Sequence, residues 1–278
     1  MITIGLTGWS DHPLIQRSTN KKLIEYAGHF PVVELDTSFY AIPKSETINS
    51  WIEKTPAVFQ FFPKAYGVLT LHKSFQDEFT TMDEAFETYL DAFQPMFEQK
   101  KIKAFLFQFP PYFDCVKKHV NYLRYVKKQM KDLPVAVEFR HPSWFSEANK
   151  DRTLAFLKDQ GWTNVVVDQP QTPNNSVPKV PEVTSPSLSV LRLHGRNYEG
   201  WLGENVTDWR AERTLYNYSK DELKAFAALV KQLETEADEV CVIFNNNSGG
   251  HAAKNAKELQ DLLGLDFSGL APKQLDLF

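Results

Sequence analysis

What most limits the fold of this chain is the position of its charges on short apolar runs. In Pro134-Val-Ala-Val-Glu-Phe-Arg-His141, an extended strand puts Val135, Val137 and Phe139 on one face and Ala136, Glu138 and Arg140 on the other. A half-solvated strand would be polar along the whole of one face. Here that face starts small and becomes charged only near its C-terminal end. The apolar face needs a helix layer to cover it, and charges gathered at strand C-termini are the mark of a closed parallel barrel with its site at that end.

The same arrangement recurs. Ile2, Ile4 and Leu6 oppose Thr3, Gly5 and Thr7; Val33 and Leu35 oppose Glu34 and Asp36; Phe59 and Phe61 oppose Gln60, Phe62 and Lys64. Phe105, Phe107 and Phe109 oppose Ala104, Leu106 and Gln108; Val165 and Val167 oppose Val166 and Asp168; Leu191 and Leu193 oppose Val190, Arg192, His194 and Arg196. The eighth run, Val240 to Asn247, is apolar on both parities and its facing is open. Helical periodicity fills the intervals at Asn20–Ala27, Ser45–Lys54, Met82–Gln99, Cys115–Lys131, Asn149–Gln160, Lys220–Thr235 and His251–Leu263. Ser45, and Ser219 with Glu222, supply start signals. The expected fold is a (β/α)8 TIM-type barrel over residues 1–267 with a tail over 268–278.

Two connections break the alternation. Residues 169–187 contain Pro170, Pro173, Pro178, Pro181 and Pro186, so the sixth helix is expected to be replaced by an extended loop. Residues 195–218 form a long segment bearing Tyr198, Trp201, Trp209, Tyr216 and Tyr218, a pattern expected of a functional cover.

The length of 278 residues suits one such barrel. A net charge of −4 does not advertise non-specific nucleic-acid binding over the whole surface, though it allows a local basic cleft. Two cysteines, Cys115 and Cys241, read as reduced thiols. With no signal-like start and no long apolar segment, the expected location is the cytoplasm.

On this facing, Glu34, Asp36, Lys64, Gln108, Glu138, Arg140, Asp168, Arg192, His194 and Asn245 converge on one opening. Buried charges must pair, bind a ligand or stay wet. In the bland reading, Glu34, Asp36, Glu138 and Asp168 neutralise Lys64, Arg140, Arg192 and Arg196 in an ion-pair ring. In a second reading, Glu34, Asp36, Glu138, Asp168 and His194 hold a divalent cation. In the third and preferred reading, Arg140, Arg192 and Arg196 grip an anionic, phosphate-bearing or nucleotide-like substrate. Glu138 then acts as general acid or base, with His194 and Asp168 as further catalytic candidates.

Asn245-Asn246-Asn247-Ser248-Gly249-Gly250-His251 follows the eighth strand, where such barrels often bind phosphate. Gly249 and Gly250 permit close backbone approach, and the next helix starts with free N–H groups. The alternative is a tight turn capped by Ser248. Tyr40, His141 and the tryptophans Trp9, Trp144 and Trp201 are candidate rim contacts, and His72 and His141 serve equally well as local loop ligands.

Taken together, Gly8-Trp9, Val33-Glu-Leu-Asp-Thr-Ser-Phe-Tyr40 with Pro43, Phe62-Pro-Lys-Ala65, Phe107-Gln-Phe-Pro-Pro111, Val137-Glu-Phe-Arg-His-Pro-Ser-Trp144, Leu193-His-Gly-Arg196 and Phe244-Asn-Asn246 resemble the YecE-like family of bacterial TIM-barrel proteins. The resemblance spans nearly the whole chain. It implies the barrel and supplies no established reaction. Asp36 and Pro63 depart from the asparagine and the non-proline residue more usual in that family.

The last residues, Gln274-Leu275-Asp276-Leu277-Phe278, resemble the linear motif by which bacterial replication and repair proteins bind the sliding clamp. Gln274 would sit at the edge of the clamp's groove, and Leu275, Leu277 and Phe278 would fill its apolar pocket. The expectation is an enzyme, with hydrolysis as the favoured reaction, acting on an anionic substrate. The alternative is a ligand-binding or clamp-associated accessory protein without turnover.

Overall fold

A computed structural model describes residues 1–173, 175–203 and 208–272. Its strands are β1 (Ile2–Thr7), β2 (Val32–Leu35), β3 (Gln60–Pro63), β4 (Phe105–Gln108), β5 (Val135–Glu138), β6 (Thr163–Asp168), β7 (Ser189–Leu193) and β8 (Val240–Phe244). All neighbouring pairs are parallel, in the order β3-β2-β1-β8-β7-β6-β5-β4. The two ends of this sheet meet: Phe61 N–H donates to Lys101 O (2.7 Å), Lys103 N–H to Phe61 O (2.7 Å) and Ala65 N–H to Leu106 O (2.9 Å). Eight parallel strands therefore curl into a TIM-type barrel.

The helices in chain order are α1 (Lys22–Ala27), α2 (Thr37–Tyr40), α3 (Ser45–Glu53), α4 (Met82–Glu98), α5 (Lys117–Met130), α6 (Lys150–Gln160), α7 (Tyr198–Leu202), α8 (Trp209–Arg213), α9 (Lys220–Glu234) and α10 (His251–Leu263). α9 begins with a capping box: the Ser219 hydroxyl accepts from the Glu222 N–H while the Glu222 carboxylate accepts from the Ser219 N–H. Ser45 is the first residue of α3 rather than its cap. The outward face of β4 and its continuation carries Phe105, Phe107 and Phe109. Phe107 stacks on Phe86 of α4, while Phe109, Phe113, Phe139 and Trp144 form a continuous aromatic layer outside β4 and β5.

Among the described residues between β6 and β7 there is no helix. Side chains do the bonding that helix backbone would have done. Thr184 Oγ1 accepts from Asn164 N–H and donates to Trp162 O, Asn164 Nδ2 donates to Val180 O, and Ser176 Oγ donates to Pro170 O. After β7, α7 and α8 bring Trp201 over the barrel, where its ring is 3% exposed and 5.7 Å from that of His194. The facing of the last strand is settled by its ends. Asn245 reaches His194 inside the barrel, while Asn246 turns out to Tyr216 O and to Asn255 of α10.

Among the described residues, no helix is long and apolar enough to cross a membrane. Residues 264–272 return to the face where the strands begin: Ala271 N–H bonds Ala27 O at 3.0 Å, and Gly269 lies against Val58. Gln274 to Phe278 lie outside the described residues.

Candidate functional site

The strand ends deliver a buried charge network to the mouth. Arg192 of β7 donates through Nε and Nη2 to both oxygens of Glu34 on β2 (2.8 and 2.6 Å), and through Nη1 to Glu138 of β5. Glu138 also accepts from Gln108 Nε2 (2.7 Å) and lies 2.8 Å from Arg140 Nε and 3.2 Å from His194 Nε2. Glu34, Glu138 and His194 are fully buried and Arg192 is 1% exposed. Burial pushes the Glu138 carboxyl up, but Arg192 and Arg140 overcome it and hold the group well below the ordinary carboxylate range. Burial leaves the Glu34 carboxyl raised even though Arg192 and Lys64 pull it down. His194 is lowered to about 3, by burial first and then by the two arginines, against the pull of Glu138. A neutral imidazole whose Nδ1 accepts from Asn245 Nδ2 (2.8 Å) donates its Nε2–H to Glu138.

A second network lies at the rim of β6 and β7. Arg196 forks onto both oxygens of Asp168 (2.8 and 2.7 Å) and reaches Glu222 of α9 at 2.8 Å. Tyr218 donates to Asp168 Oδ2 (3.0 Å) and accepts from Gly195 N–H (2.8 Å). Across the mouth, Lys64 pairs with Asp36 at 3.0 Å above the Phe39 ring. Every acid of the expected ring thus meets one of its expected bases.

That pairing changes what the arginines can do. Arg192 and Arg196 are consumed by carboxylates, so neither offers a free fork to an anion. The arginine that does was not among the sequence candidates. Arg213, at the end of α8, stacks over Trp201 with its guanidinium carbon 3.8 Å from the ring centroid, and the Arg140 carbon is 4.9 Å from the same centroid. Among the described residues, no carboxylate lies within ion-pair distance of Arg213. Burial, then Arg140, lowers it to about 9, so it is still charged at neutral pH. The signal available in sequence is its spacing from Trp209, four residues earlier in an aromatic-rich segment; its guanidinium carbon lies 5.8 Å from the Trp209 ring centroid.

Residues 3–276 match the family described as "Protein of unknown function DUF72". The chain belongs to the DUF72 family. It is 45% identical to the UPF0759 protein YunF of Bacillus subtilis over all of both chains, and 30% identical to YecE of Escherichia coli over 60% of this chain and 59% of that one. The crystal structure of a DUF72 protein from Enterococcus faecalis superposes with a TM-score of 0.93 at 42% identity, over 99% of this chain and 100% of the other. One from Thermotoga maritima gives 0.81 at 32% identity, over 95% and 100%.

In this DUF72 barrel the remaining sequence candidates scatter. Tyr40 is 43% exposed and packs edge-on to Phe39. His141 binds Ser143 in its own turn, and His72 accepts or donates at Thr70 Oγ1 (2.9 Å) beside the Phe39 ring. Ser248 does not cap α10: its hydroxyl bonds Thr214, and Gly250, at φ +72°, is the N-cap without a side-chain bond. Gly249 makes the turn before it. Among the described residues, no three His, Cys, Asp or Glu side chains are arranged to hold a metal ion, because Arg192 occupies the space between Glu34 and Glu138.

Proposed function

We propose that the mouth of this DUF72 barrel recognises an anionic ligand through Arg140 and Arg213, with Trp201 as the wall that both cations share. The observation that carries this reading is Arg213 itself, a half-buried guanidinium with no carboxylate among the described residues, next to a second arginine. An anion bound there gains charge-assisted hydrogen bonds and relieves the repulsion between the two cations. Glu138 and His194 orient Arg140 and Arg192. With their polar atoms engaged and their pKa values far from neutral, they suit fixed positioning better than proton transfer.

Titration calorimetry with inorganic phosphate, pyrophosphate and AMP tests this. Saturable binding that falls more than tenfold in Arg213→Ala supports the reading, whereas equal binding by that variant, or none by the parent, removes it. Hydrolysis is the reaction expected from the sequence, and a screen over phosphoesters with Glu138→Gln alongside tests it. Turnover lost in that variant with folding intact would make the mouth catalytic.

A second reading concerns address rather than chemistry. We propose that Gln274 to Phe278 recruit the protein to a bacterial sliding clamp. Residues 264–272 lead toward the face opposite the mouth, so a partner engaged there leaves the anion site open.

A further inference from the structure

A groove of about 200 Å3 opens at the ends of β8, β1 and β2; its wall includes Thr7, Trp9, Asp11, Glu34, Asp36 and Asn247, and not Arg213. Three observations define its chemistry. Thr7 is 8% exposed and its Oγ1 has no hydrogen-bond partner; the same is true of Asn247 Oδ1, although Asn247 Nδ2 is fixed on Thr7 O at 2.8 Å. Two of the three carboxylates in the wall are already neutralised, Glu34 by Arg192 and Asp36 by Lys64. Finally, Trp9 is held edge-on against Trp51, centroids 5.3 Å apart, and gives the groove one aromatic wall.

A cation is a poor occupant, because only Asp11 remains without a basic partner and no metal-holding group is found among the described residues. An anion would meet Asp11 directly, while the cations that reach the wall are already engaged, Lys64 by Asp36 and Lys22 by Ser10 O. What the groove offers is a hydroxyl that can donate or accept, an amide oxygen that can accept, and an indole. A hydroxyl group answers both polar atoms, since it donates and accepts at once, and a ring edge of C–H groups suits an indole. The volume is below the roughly 300–1,000 Å3 of sites for drug-sized ligands, which limits the occupant to about one ring.

We propose that this groove is a subsite for a single neutral polyhydroxylated ring, of the monosaccharide class, held by Thr7, Asn247 and Trp9. It goes beyond the anion reading and does not need it. With both sites filled, the ligand would be a sugar carrying an acidic group, ring on the β8–β1–β2 side and acid on the Trp201 side.

The test is a titration of the full chain with D-glucose, D-ribose and D-xylose, following the tryptophan indole N–H resonances, with Trp9 assigned through Trp9→Phe. One sugar is expected to shift Trp9 saturably. Thr7→Val should weaken that binding about fivefold without lowering Tm, since a methyl replaces an unpaired buried hydroxyl, and Thr7→Ser should retain it. Arg213→Ala should leave the sugar titration unchanged, which separates this subsite from the anion site. Absence of any saturable shift of Trp9, equal affinity in the valine and serine variants, or saturation by 1,4-diaminobutane in place of the sugars would overturn the proposal.

Discussion

Arg192 and Glu34, 158 residues apart in the chain, meet inside the barrel through a two-pronged ion pair, and the third arm of the same guanidinium holds Glu138. One cation thus ties β2 and β5 to β7 across the interior. Arg192→Met leaves Glu138 with Arg140 and Glu34 with only the more distant Lys64, and should cost about 3–5 kcal/mol in urea unfolding. Arg192→Met with Glu34→Gln should recover part of that loss, because the carboxylate left without a directly paired cation is gone. Arg213→Met, which strands no carboxylate, should stay within about 1 kcal/mol of the parent.

How much of this was legible beforehand depended on the kind of order involved. Strand parity is local, so Glu34, Glu138 and Arg192 could be placed on the inner face from their neighbours alone. Which acid meets which base depends on strand stagger around the closed barrel, and no local pattern carries that. From its strand end alone Arg192 looks like an anion clamp, whereas in the closed barrel its guanidinium is engaged by Glu34 and Glu138. Sequence adjacency puts Asn246 beside Asn245 at the mouth, but the strand ends at Phe244 and the chain turns, so consecutive asparagines face opposite sides of the wall. Arg213 sits on a five-residue helix whose position depends on how Trp201 seats on the mouth, which no periodicity encodes.

The buried histidines give acid sensitivity a definite sign. His194 at about 3 and His72 at about 4 are neutral in the fold near pH 5, while the unfolded chain protonates each near 6.5; burial shifts His12 in the same direction. The unfolded state therefore binds more protons, and stability is full above about pH 6.5 and falls as pH decreases. Each such histidine contributes a slope approaching about 1.4 kcal/mol per pH unit. Glu34, raised by burial, opposes this as pH falls through its raised folded-state value, whereas Glu138, held low, adds to the loss below about pH 4.5. Urea midpoints measured from pH 7 to 5 should fall steadily, and His194→Gln should make that fall shallower.

Gly195 follows His194 at φ +85°, and a Cβ there would stand 2.7 Å from Tyr216 Cβ. Its N–H holds the Tyr218 hydroxyl that in turn binds Asp168. Gly195→Ala therefore combines left-handed strain with a collision and should cost more than about 2 kcal/mol. The displaced Tyr216–Tyr218 segment follows directly on α8, so phosphate binding should weaken as well.

The tail offers a prediction in which stability and binding separate. If Leu275, Leu277 and Phe278 packed on their own barrel, each would bury an apolar side chain worth about 1.5–3 kcal/mol, and removing residues 274–278 would lower Tm by several degrees. A recruitment motif that waits for a partner contributes none of this. Deletion of Gln274 to Phe278 should then leave Tm and phosphate binding unchanged while abolishing association with purified bacterial clamp in surface plasmon resonance. Phe278→Ala should weaken that association by more than about tenfold, since an aromatic anchor in an apolar pocket carries a large share of such binding. A Tm that drops on deletion, with clamp binding absent in the parent, would assign these residues to the protein's own surface instead.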